Sequence, residues 1–279
     1  EKTALLWHNG QWHIPNGPTP STHIFKLPLG RVGNMQADLS TSVENEWLCS
    51  KIIERFDIPI AQCEIGQFED QKVLIIERFD RMKAKDESYW VRRPQEDLCQ
   101  ALGFPPSLKY EADGGPGIRE IGRLLLSSRK AQTDRQVFLR AQIIFWILCA
   151  PDGHAKNFSI FLENRGRFSL TPLYDVISAF PILGKKANQI SRQKIRLAMA
   201  VLGKNKHYKW AEIYPRHWAS TAKAIGLDHQ IENELEFVRR SAPDVVESVS
   251  KELSDGFPGS VADKVFEGML TTAKTIGCA

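Results

Sequence analysis

The sequence has no long hydrophobic run. Of its 279 residues, 42% are hydrophobic and 25% are charged, yet no stretch approaches the roughly 18 apolar residues that a membrane-spanning helix needs. This composition is typical of globular proteins and differs from that of disordered or membrane-embedded chains. We therefore expect no membrane partner, and a chain of this length to form either one large domain or two lobes around a cleft.

Cysteine is scarce. There are five cysteines, widely spaced and without a C-x-x-C pair, which argues against a disulfide framework and against a zinc site. We predict that they are small buried hydrophobic residues of a protein in the reducing cytoplasm. They are Cys49, Cys63, Cys99, Cys149 and Cys278.

The N-terminus lacks an initiating Met and a secretory signal. The first residue is Glu1, and the opening EKTALLW has neither the basic segment nor the long apolar run of a signal peptide. We expect the chain to be part of a longer protein.

Acidic residues are nearly absent between Lys185 and Lys223, a stretch we call the basic segment. It contains ten Lys and Arg but a single acid, Glu212, so its charge is +9, whereas the whole chain carries +4 and the remainder therefore −5. Such a run is either a solvated face or a surface for an anionic partner such as nucleic acid.

The first 80 residues have the pattern of a small antiparallel sheet with one helix. Short apolar or alternating runs, typical of strands, are separated by clusters of Asn, Gly and Pro. Residues 40–58 instead have apolar residues at helical spacing, with Ser42 as the predicted N-cap. The strand-like runs are 4–7, 11–14, 23–28, 63–68 and 71–80.

The helical period dominates from Pro94 onward. The helix predicted at 133–150 is apolar almost all round at its C-terminal end, as expected for a helix buried at the centre of a lobe. The predicted helices are 94–103, 117–128, 133–150, 209–225, 228–254 and 259–275.

The segment APDGHAKNFS, after the buried helix, has residues suited to phosphoryl transfer. That reaction needs oxygen ligands for magnesium and an Asp that orients the attacking hydroxyl. Asp152 and Asn157 have the spacing of the protein-kinase pattern H-R-D-x-x-x-x-N, and Asp175 follows 18 residues later, after a predicted short hairpin. Taken singly, an Asp before Gly and an Asn in a loop are usually turn residues.

Two residues of the N-terminal part complete this set. Lys26 lies between apolar neighbours in a predicted strand, where a charge is costly unless it meets an anion. The alternative is an edge-strand lysine that guards against aggregation. Glu46, on the following helix, is the carboxylate that we place beside Lys26; the alternative is a solvated helix acid.

Six long, irregular segments stand out along the chain: ERFDR, RRPQEDLCQALG, KYEADGGPGI, DGHAKNFS, LTPLYDVISAFP and IYPRH. Together they resemble the HipA family, the serine/threonine kinase toxins of HipBA toxin–antitoxin systems, and they follow the family's order over nearly the whole chain.

The resemblance, together with the patterns above, implies an α+β fold, a divergent two-lobed protein-kinase-like fold. Residues 1–80 would form the remainder of a small β-rich N-terminal lobe, with the hinge at 77–79. Residues 81–279 would form a large all-α C-terminal lobe that contains the catalytic loop.

The resemblance also implies a site for ATP and Mg²⁺. Asp152 matches the catalytic base, and Asn157 and Asp175 match the residues that hold magnesium. The residues implied to bind ATP are Glu1, Lys2, Lys26, Glu77, Arg78, Phe79, His154, Ala155, Lys156, Asn157, Tyr174 and Asp175.

The sequence departs from the common kinase patterns. Ala150 and Pro151 precede Asp152, so there is no H-R-D, and Val176 and Ile177 follow Asp175, so there is no D-F-G. In the family, an N-terminal subdomain and a flexible loop with an autophosphorylated serine precede the Glu-Lys pair matched by Glu1 and Lys2. Neither is among these residues, and no Gly-rich phosphate loop precedes the first strand.

The resemblance implies three macromolecular partners. HipA-type proteins bind a HipB antitoxin dimer on operator DNA as corepressors, and the family's contact with the DNA backbone falls on Lys223, Ala224, Ile225 and Gly226, which begins inside the basic segment. The expected substrate is an aminoacyl-tRNA synthetase, of the glutamyl type. We expect a cytoplasmic protein that joins the nucleoid when bound to antitoxin and DNA.

Two other functions fit some of these features. One is an antitoxin-binding corepressor whose kinase site is idle. The other is a small-molecule phosphotransferase, which would share the Asp-to-Asn spacing but not the HipA-like segments.

Overall fold

The computed structural model describes residues 2–33, 36–86, 88–186 and 188–277. Up to Glu77 the chain is a sheet with one helix, and the part after Glu77 is mainly helical. The expected α+β fold with two unequal lobes is confirmed. Among the described residues, none of the helices is both long and apolar enough to cross a bilayer.

Each predicted strand run contains a strand, and the structure adds others that the sequence pattern did not reveal, most of them of three or four residues but also the seven-residue β13. In the described residues the strands are β1 (Lys2–His8), β2 (Gln11–His13), β3 (His23–Lys26), β4 (Gly30–Val32), β5 (Ala37–Leu39), β6 (Cys63–Phe68), β7 (Gln71–Glu77), β8 (Arg81–Lys83), β9 (Trp90–Arg92), β10 (Gln95–Asp97), β11 (Ser159–Leu162), β12 (Phe168–Leu170), β13 (Arg196–Leu202) and β14 (Lys206–Lys209). The additions include β4, β5, β8 and β9.

The helices lie where the period predicts them, with corrections at their starts, one being that the helix predicted at 94–103 begins only at Leu98, because residues 95–97 form β10. In the described residues they are α1 (Ser42–Arg55), α2 (Leu98–Ala101), α3 (Ile118–Leu124), α4 (Ala131–Ile147), α5 (Pro215–Ala224), α6 (Ile231–Ser250) and α7 (Gly259–Lys274). Ser42 is not the N-cap, because Thr41 precedes the helix and the Ser42 hydroxyl accepts a hydrogen bond from Leu29 N. The helix predicted from 209 begins only at Pro215, since Pro suits the first helical turn.

The N-terminal lobe is built on an antiparallel sheet with the order β2-β1-β3-β7-β6. Side chains alternate along β7, so Val73 and Ile75 pack on one face while Leu74 and Ile76 pack on the other, against Val43 of α1. Strand β3 lies between β1 and β7, so Lys26 is not on an edge strand.

The C-terminal lobe surrounds α4, whose C-terminal half is buried all round as predicted. Helices α6 and α7 pack against it. The lobe is mainly helical but not all-α. It also contains the sheet β10-β11-β12 and the hairpin β13-β14. Strands β11 and β12 form the hairpin expected between Asn157 and Asp175.

Helix α1 ties the two lobes together. It packs on the sheet through β6 and β7 and on the C-terminal lobe through α6 and α7. The amide of Asn45 forms a two-way clamp, donating to Ser178 O at 2.8 Å and accepting from Ser178 N at 3.0 Å. This clamp holds the chain just after Asp175 against the N-terminal lobe. The division between residues 80 and 81 stays a prediction.

Candidate active site

Two adjoining cavities lie between the lobes. The first, of about 410 Å³, is lined mostly by charged and polar side chains, and we call it the charged cavity. The second, of about 260 Å³, has walls of Ile24, Ala61 and Ile76, and we call it the apolar cavity. Lys2, Lys26 and Asp175 line both. An apolar pocket with a few convergent polar groups is the usual form of a small-molecule site.

Lys26 is the centre of an ion-pair cluster. Its Nζ lies 2.5 Å from Oε1 of Glu46 and 2.8 Å from Oδ1 of Asp175. The second oxygen of Asp175 is 3.2 Å from Nζ of Lys2, which β1 places directly opposite Lys26. The Lys26 side chain is only 11% exposed and that of Glu46 6%. The predicted pairing of Lys26 with Glu46 is therefore confirmed, and neither is a solvated surface charge.

The pKa values in this cluster result from burial and pairing. Burial alone would lower the pKa of Lys26, but Glu46 and Asp175 outweigh it and raise the pKa. Burial raises the pKa of Glu46 despite Lys26. For Asp175, burial is outweighed by Lys26 and Lys2, so its pKa is lowered. The lysine stays a cation and Asp175 an anion over the physiological range.

Asn157 and Asp175 provide oxygen atoms suited to a magnesium ion. Asp175 adopts a left-handed backbone conformation, with φ of 62°, and its carbonyl accepts a hydrogen bond from Nδ2 of Asn157 at 3.2 Å. This fixes the amide, and its other atom, Oδ1, is buried with no hydrogen-bond partner in the described structure. An orphaned buried oxygen beside a carboxylate fits a hard cation.

Asp152 lies at the open end of the charged cavity, on the turn that ends α4. Cys149 has a φ of 49°, which ends the helix, and a Cβ on Gly153 would lie 2.3 Å from the ring of Phe145, so only Gly fits the turn there. The carboxylate of Asp152 is 61% exposed. It accepts a hydrogen bond of 2.5 Å from the hydroxyl of Tyr110.

His154 lies behind Asp152. Its ring contacts that of Tyr110 edge-on, with centroids 5.1 Å apart, and its Nε2 is 3.8 Å from Oδ1 of Asp152. Burial lowers the pKa of His154 although Asp152 opposes the effect. The imidazole is thus held neutral next to the carboxylate.

The rest of the 154–157 segment is turned partly away from the cavity. Lys156 lines it, but its Nζ is 2.5 Å from Oδ2 of Asp97, the N-cap of α2. Ala155 is fully buried and lines neither cavity. The hydroxyl of Tyr174 is 2.9 Å from the carbonyl of Lys156 and 2.5 Å from Oγ of Ser159, and Tyr174 itself lines the apolar cavity.

The predicted hinge residues line the apolar cavity. Phe79 packs edge-on against Phe161 and lies 5.9 Å from the ring of Tyr174. Arg78 also lines it, but its guanidinium binds Asp80, with Nη2 2.9 Å from Oδ2. Glu77 ends β7 at the cavity's edge. Glu1, the remaining predicted residue, lies outside the described residues.

Comparison with known proteins agrees with this geometry. The family model of the HipA-like C-terminal domain matches residues 1–251. The chain belongs to this family.

Relatives of this HipA-like chain include proteins with kinase names. Y4mE of Sinorhizobium fredii, named as a kinase, is 31% identical over 254 residues, which are 90% of this chain and 54% of that protein. The serine/threonine-protein kinase toxin HipA of Shewanella oneidensis is 31% identical over 188 residues, 63% of this chain and 41% of that protein. The chain thus spans about half the length of these curated relatives.

Solved structures show the fold. HipA in the complex of Shewanella oneidensis MR-1 HipA, HipB and operator DNA superposes with a TM-score of 0.82 at 24% identity, covering 98% of this chain and 62% of that one. The Helicobacter pylori proinflammatory kinase CtkA gives a TM-score of 0.55 at 9% identity, covering 98% of this chain and 90% of that one. The predicted kinase-like fold is confirmed.

Sequence reasoning missed two residues of the HipA-like site. Tyr110 bonds to Asp152, and Lys109 lines the charged cavity. Both belong to the segment KYEADGGPGI, which the resemblance had singled out without giving it a role. The nearby glycines were the available signal: a Cβ on Gly115 would lie 2.0 Å from the carbonyl of Leu108, so the loop needs Gly to bring Tyr110 to Asp152.

The residues predicted to contact DNA lie at the C-terminal end of α5. Lys223 and Gly226 are exposed, Ala224 is half-buried, and Ile225 is 5% exposed with its carbonyl bound by Arg135. Of the four, Lys223 alone offers a cation at the surface. The C-terminal end of a helix carries a partial negative charge that repels phosphate. DNA binding at this position would therefore depend on the positive charge of Lys223.

Proposed function

We propose that this chain is the larger part of a HipA-type serine/threonine protein kinase that uses ATP and Mg²⁺. The observation that carries the proposal is the meeting of Lys26, Glu46, Asn157 and Asp175 with Asp152 around one charged cavity that adjoins an apolar one. Phosphoryl transfer depends mainly on positioning and charge neutralisation, and these residues supply both.

Each group has a defined task in this reaction. Lys26, held by Glu46, neutralises the phosphates of ATP, while the apolar cavity receives the adenine. Asn157 and Asp175 would hold Mg²⁺, and the ion would supply positive charge for the phosphoryl group in transfer. Asp152 orients the substrate hydroxyl and takes up its proton as the oxygen attacks the γ-phosphorus and ADP leaves. For this, the substrate hydroxyl replaces Tyr110 as the hydrogen-bond partner of Asp152.

The test is Asp152→Asn in the full-length protein. The variant keeps the shape of the side chain but cannot accept the proton, so phosphotransfer should fall by about 10³-fold. Because Asp152 is exposed, the thermal midpoint should be unchanged. Incorporation of labelled phosphate measures the first quantity and calorimetry the second.

Asp255→Asn, another exposed aspartate outside the cavity, is the matched control. Phosphotransfer that survives Asp152→Asn would overturn the catalytic assignment. A wild-type protein that binds its partners but transfers no phosphate would favour the idle corepressor instead.

We also propose that the full protein is the growth-inhibiting toxin of a toxin–antitoxin pair, with an aminoacyl-tRNA synthetase, by resemblance the glutamyl enzyme, as its substrate. The similarity to the HipA toxin supports this role. Phosphosite mapping of cells that express the wild type or Asp152→Asn would identify the target. A growth arrest equal in both strains would contradict it.

A second proposed role is electrostatic binding of operator DNA together with a HipB-type antitoxin. The ten cations of the basic segment are all exposed. Some have local partners, as Lys206 has in Glu111 and Lys209 in Glu212. No ion pair is formed by Lys204 or Lys223 among the described residues, so both are available to phosphates.

Gel shifts of operator DNA with the antitoxin test this role. Lys204→Glu with Lys223→Glu should weaken binding and reduce the slope of log K against log salt by about 2, since each phosphate contact contributes roughly 0.9. Lys85→Glu, an exposed lysine outside the basic segment, is the control. An unchanged affinity and slope in the double variant would reject the role.

A further inference from the structure

A third cavity, of about 420 Å³, lies behind the hinge on the outer side of the N-terminal lobe. It is formed where β1 ends and β3 begins, beside the end of β7 and the β8-β9 hairpin. It shares only Glu77 and Arg78 with the apolar cavity. Its lining has two indoles, two histidines and several cations, and of these only Arg78 also lines the cavity proposed for adenine. We call it the rear cavity.

The rear cavity has more buried positive than negative charge at its base. Asp80 is buried, and its single carboxylate receives the guanidiniums of both Arg78 and Arg81. The side chain of Arg81 is only 10% exposed, and its Nε has no hydrogen-bond partner in the described structure. One carboxylate for two guanidiniums leaves a half-buried cation without a counter-charge, which is costly unless an anion completes the site.

The surrounding charges do not cancel this excess. Burial and the nearby charges of Arg78 and Arg92 lower the pKa of Arg81, although Asp80 opposes the effect. Glu77 lies at the exposed rim, where its charge acts on His23. The excess positive charge at the bottom of the rear cavity is therefore suited to binding an anionic ligand.

Two indoles give the walls an aromatic character. Trp7, at the end of β1, is 42% exposed although its ring packs on Trp12, with centroids 4.5 Å apart. Trp90, on β9, contributes a second, half-buried indole. Large rings left partly open next to guanidiniums are the combination by which proteins hold nucleotides, through base stacking and phosphate pairing.

We propose that the rear cavity is a second nucleotide-binding site, in which Arg78 and Arg81 bind a phosphate and Trp7 or Trp90 stacks on the base. The ligand is either a free mononucleotide or the end of a single strand of nucleic acid, since both present the same phosphate and base. The site adjoins the proposed ATP site, with which it shares Glu77 and Arg78, and does not depend on kinase activity.

The probes are uridine monophosphate and a fluorescently labelled hexauridylate, chosen because a pyrimidine fits poorly the apolar cavity proposed for adenine. Binding is measured by anisotropy at low salt with the chain as it stands, and by competition for the mononucleotide. If the ligand is the end of a nucleic-acid strand, hexauridylate should bind and uridine monophosphate should compete only weakly. If the ligand is a free mononucleotide, the two probes should bind with similar affinity.

The variants separate this site from its surroundings. Arg81→Gln leaves Asp80 paired with Arg78, so the fold should hold, and it should weaken binding about tenfold or more through loss of a charge-assisted hydrogen bond. Trp90→Ala and Trp7→Ala each remove a stacking surface, and at least one should weaken binding by about tenfold. Arg31→Ala, an exposed arginine elsewhere on the lobe, should change nothing. Lys109→Ala, which removes a cation from the charged cavity without breaking the buried Lys26–Glu46 pair, should leave binding of the probes unchanged as well.

Four results would overturn the proposal. The first is that neither probe binds; the second is that Arg31→Ala weakens binding as much as Arg81→Gln, which would mean general electrostatic attraction. The third is loss of binding in Lys109→Ala alone, which would place the probe in the charged cavity. Binding of a phosphoserine peptide with no effect of either tryptophan variant would also reject a nucleotide site.

Discussion

The two ends of the charged cavity are built in opposite ways. At the inner end, Lys26 and Glu46 are buried and joined directly, and Asp175 is held by two lysines. At the outer end, Asp152 is 61% exposed and receives a hydrogen bond from Tyr110, with a neutral His154 behind it. The inner end is fixed by ion pairs. At the outer end, Asp152 is positioned by the backbone conformation of the turn after α4 and by a hydrogen bond from the neutral hydroxyl of Tyr110.

This difference reflects the task of each end in the proposed reaction. Groups that position phosphates and metal work best when they are preorganised, because they then need no rearrangement in the transition state. A base must exchange its partner for the substrate hydroxyl, so it is better exposed. We therefore expect changes at the inner end to reduce stability as well as activity, and changes at the outer end to affect stability mainly through the backbone.

The largest effect is expected for Lys26→Met. It leaves Glu46 buried without its cation, and breaking a buried pair costs about 3–5 kcal/mol. Because burial already raises the pKa of Glu46, protonation will relieve part of this cost at lower pH. Chemical denaturation of the wild type and variant measures it.

A second substitution tests the cause. Lys26→Met with Glu46→Gln removes the orphaned charge and should recover part of the lost stability. Lys251→Met breaks an exposed pair, in which both side chains are 70% exposed, and should cost at most about 0.5 kcal/mol. If Lys26→Met cost no more than that control, the inner end would not be a buried ion-pair cluster.

Gly153→Ala tests the backbone at the outer end and should have a smaller effect. The new Cβ would lie 2.3 Å from the ring of Phe145, which is buried in the core. Overpacking of this kind costs about 1–3 kcal/mol, and the shift of the turn should also displace Asp152 and reduce phosphotransfer. Thermal unfolding and the labelled-phosphate assay measure the two effects.

The control and the rescue are both available in the chain. Gly259→Ala, at the start of α7, meets only the flexible carboxylate of Asp263, so it should be neutral. Gly153→Ala with Phe145→Leu should regain stability. A fully stable and active Gly153→Ala would show that Gly153 does not fix the position of Asp152.

Features that depend on a local sequence pattern could be predicted, whereas features that depend on contacts between residues far apart in the sequence could not. The inner end was predictable, because a lysine inside an apolar strand demands a counter-charge, and α1 presents Glu46 on the face nearest β3. The central position of α4 was equally predictable from its apolar C-terminal half. Strands β4, β5, β8 and β9 were missed because three-residue strands are too short to show a period.

Other features depend on contacts that no local pattern shows. Tyr110 and Asp152 are 42 residues apart, and nothing near either one marks the other as its partner. The shared use of Asp80 by two arginines is visible only once β8 turns Arg81 back towards the hinge. The early start predicted for α5 had a local cause, since Trp210 and Ile213, which lie between β14 and Pro215, also fit a helical period.

The smallest effect is expected from acidification, and it again concerns the outer end. Burial lowers the pKa of His154 below its ordinary value of 6.5, so the unfolded chain binds a proton at His154 before the folded chain does. The neutral imidazole therefore stabilises the fold fully at pH values above 6.5. This stabilisation is lost as the pH falls from 6.5 towards the lower pKa of His154 in the folded state. Relative to His154→Asn, the wild type should lose stability between about pH 8 and pH 5.

Removing Asp152, whose charge opposes the effect of burial on His154, should lower the pKa of His154 further and increase that loss of stability. Denaturation of the four proteins in the cycle, with and without Asp152→Asn, measures this, and parallel pH curves would show that Asp152 and His154 are not coupled.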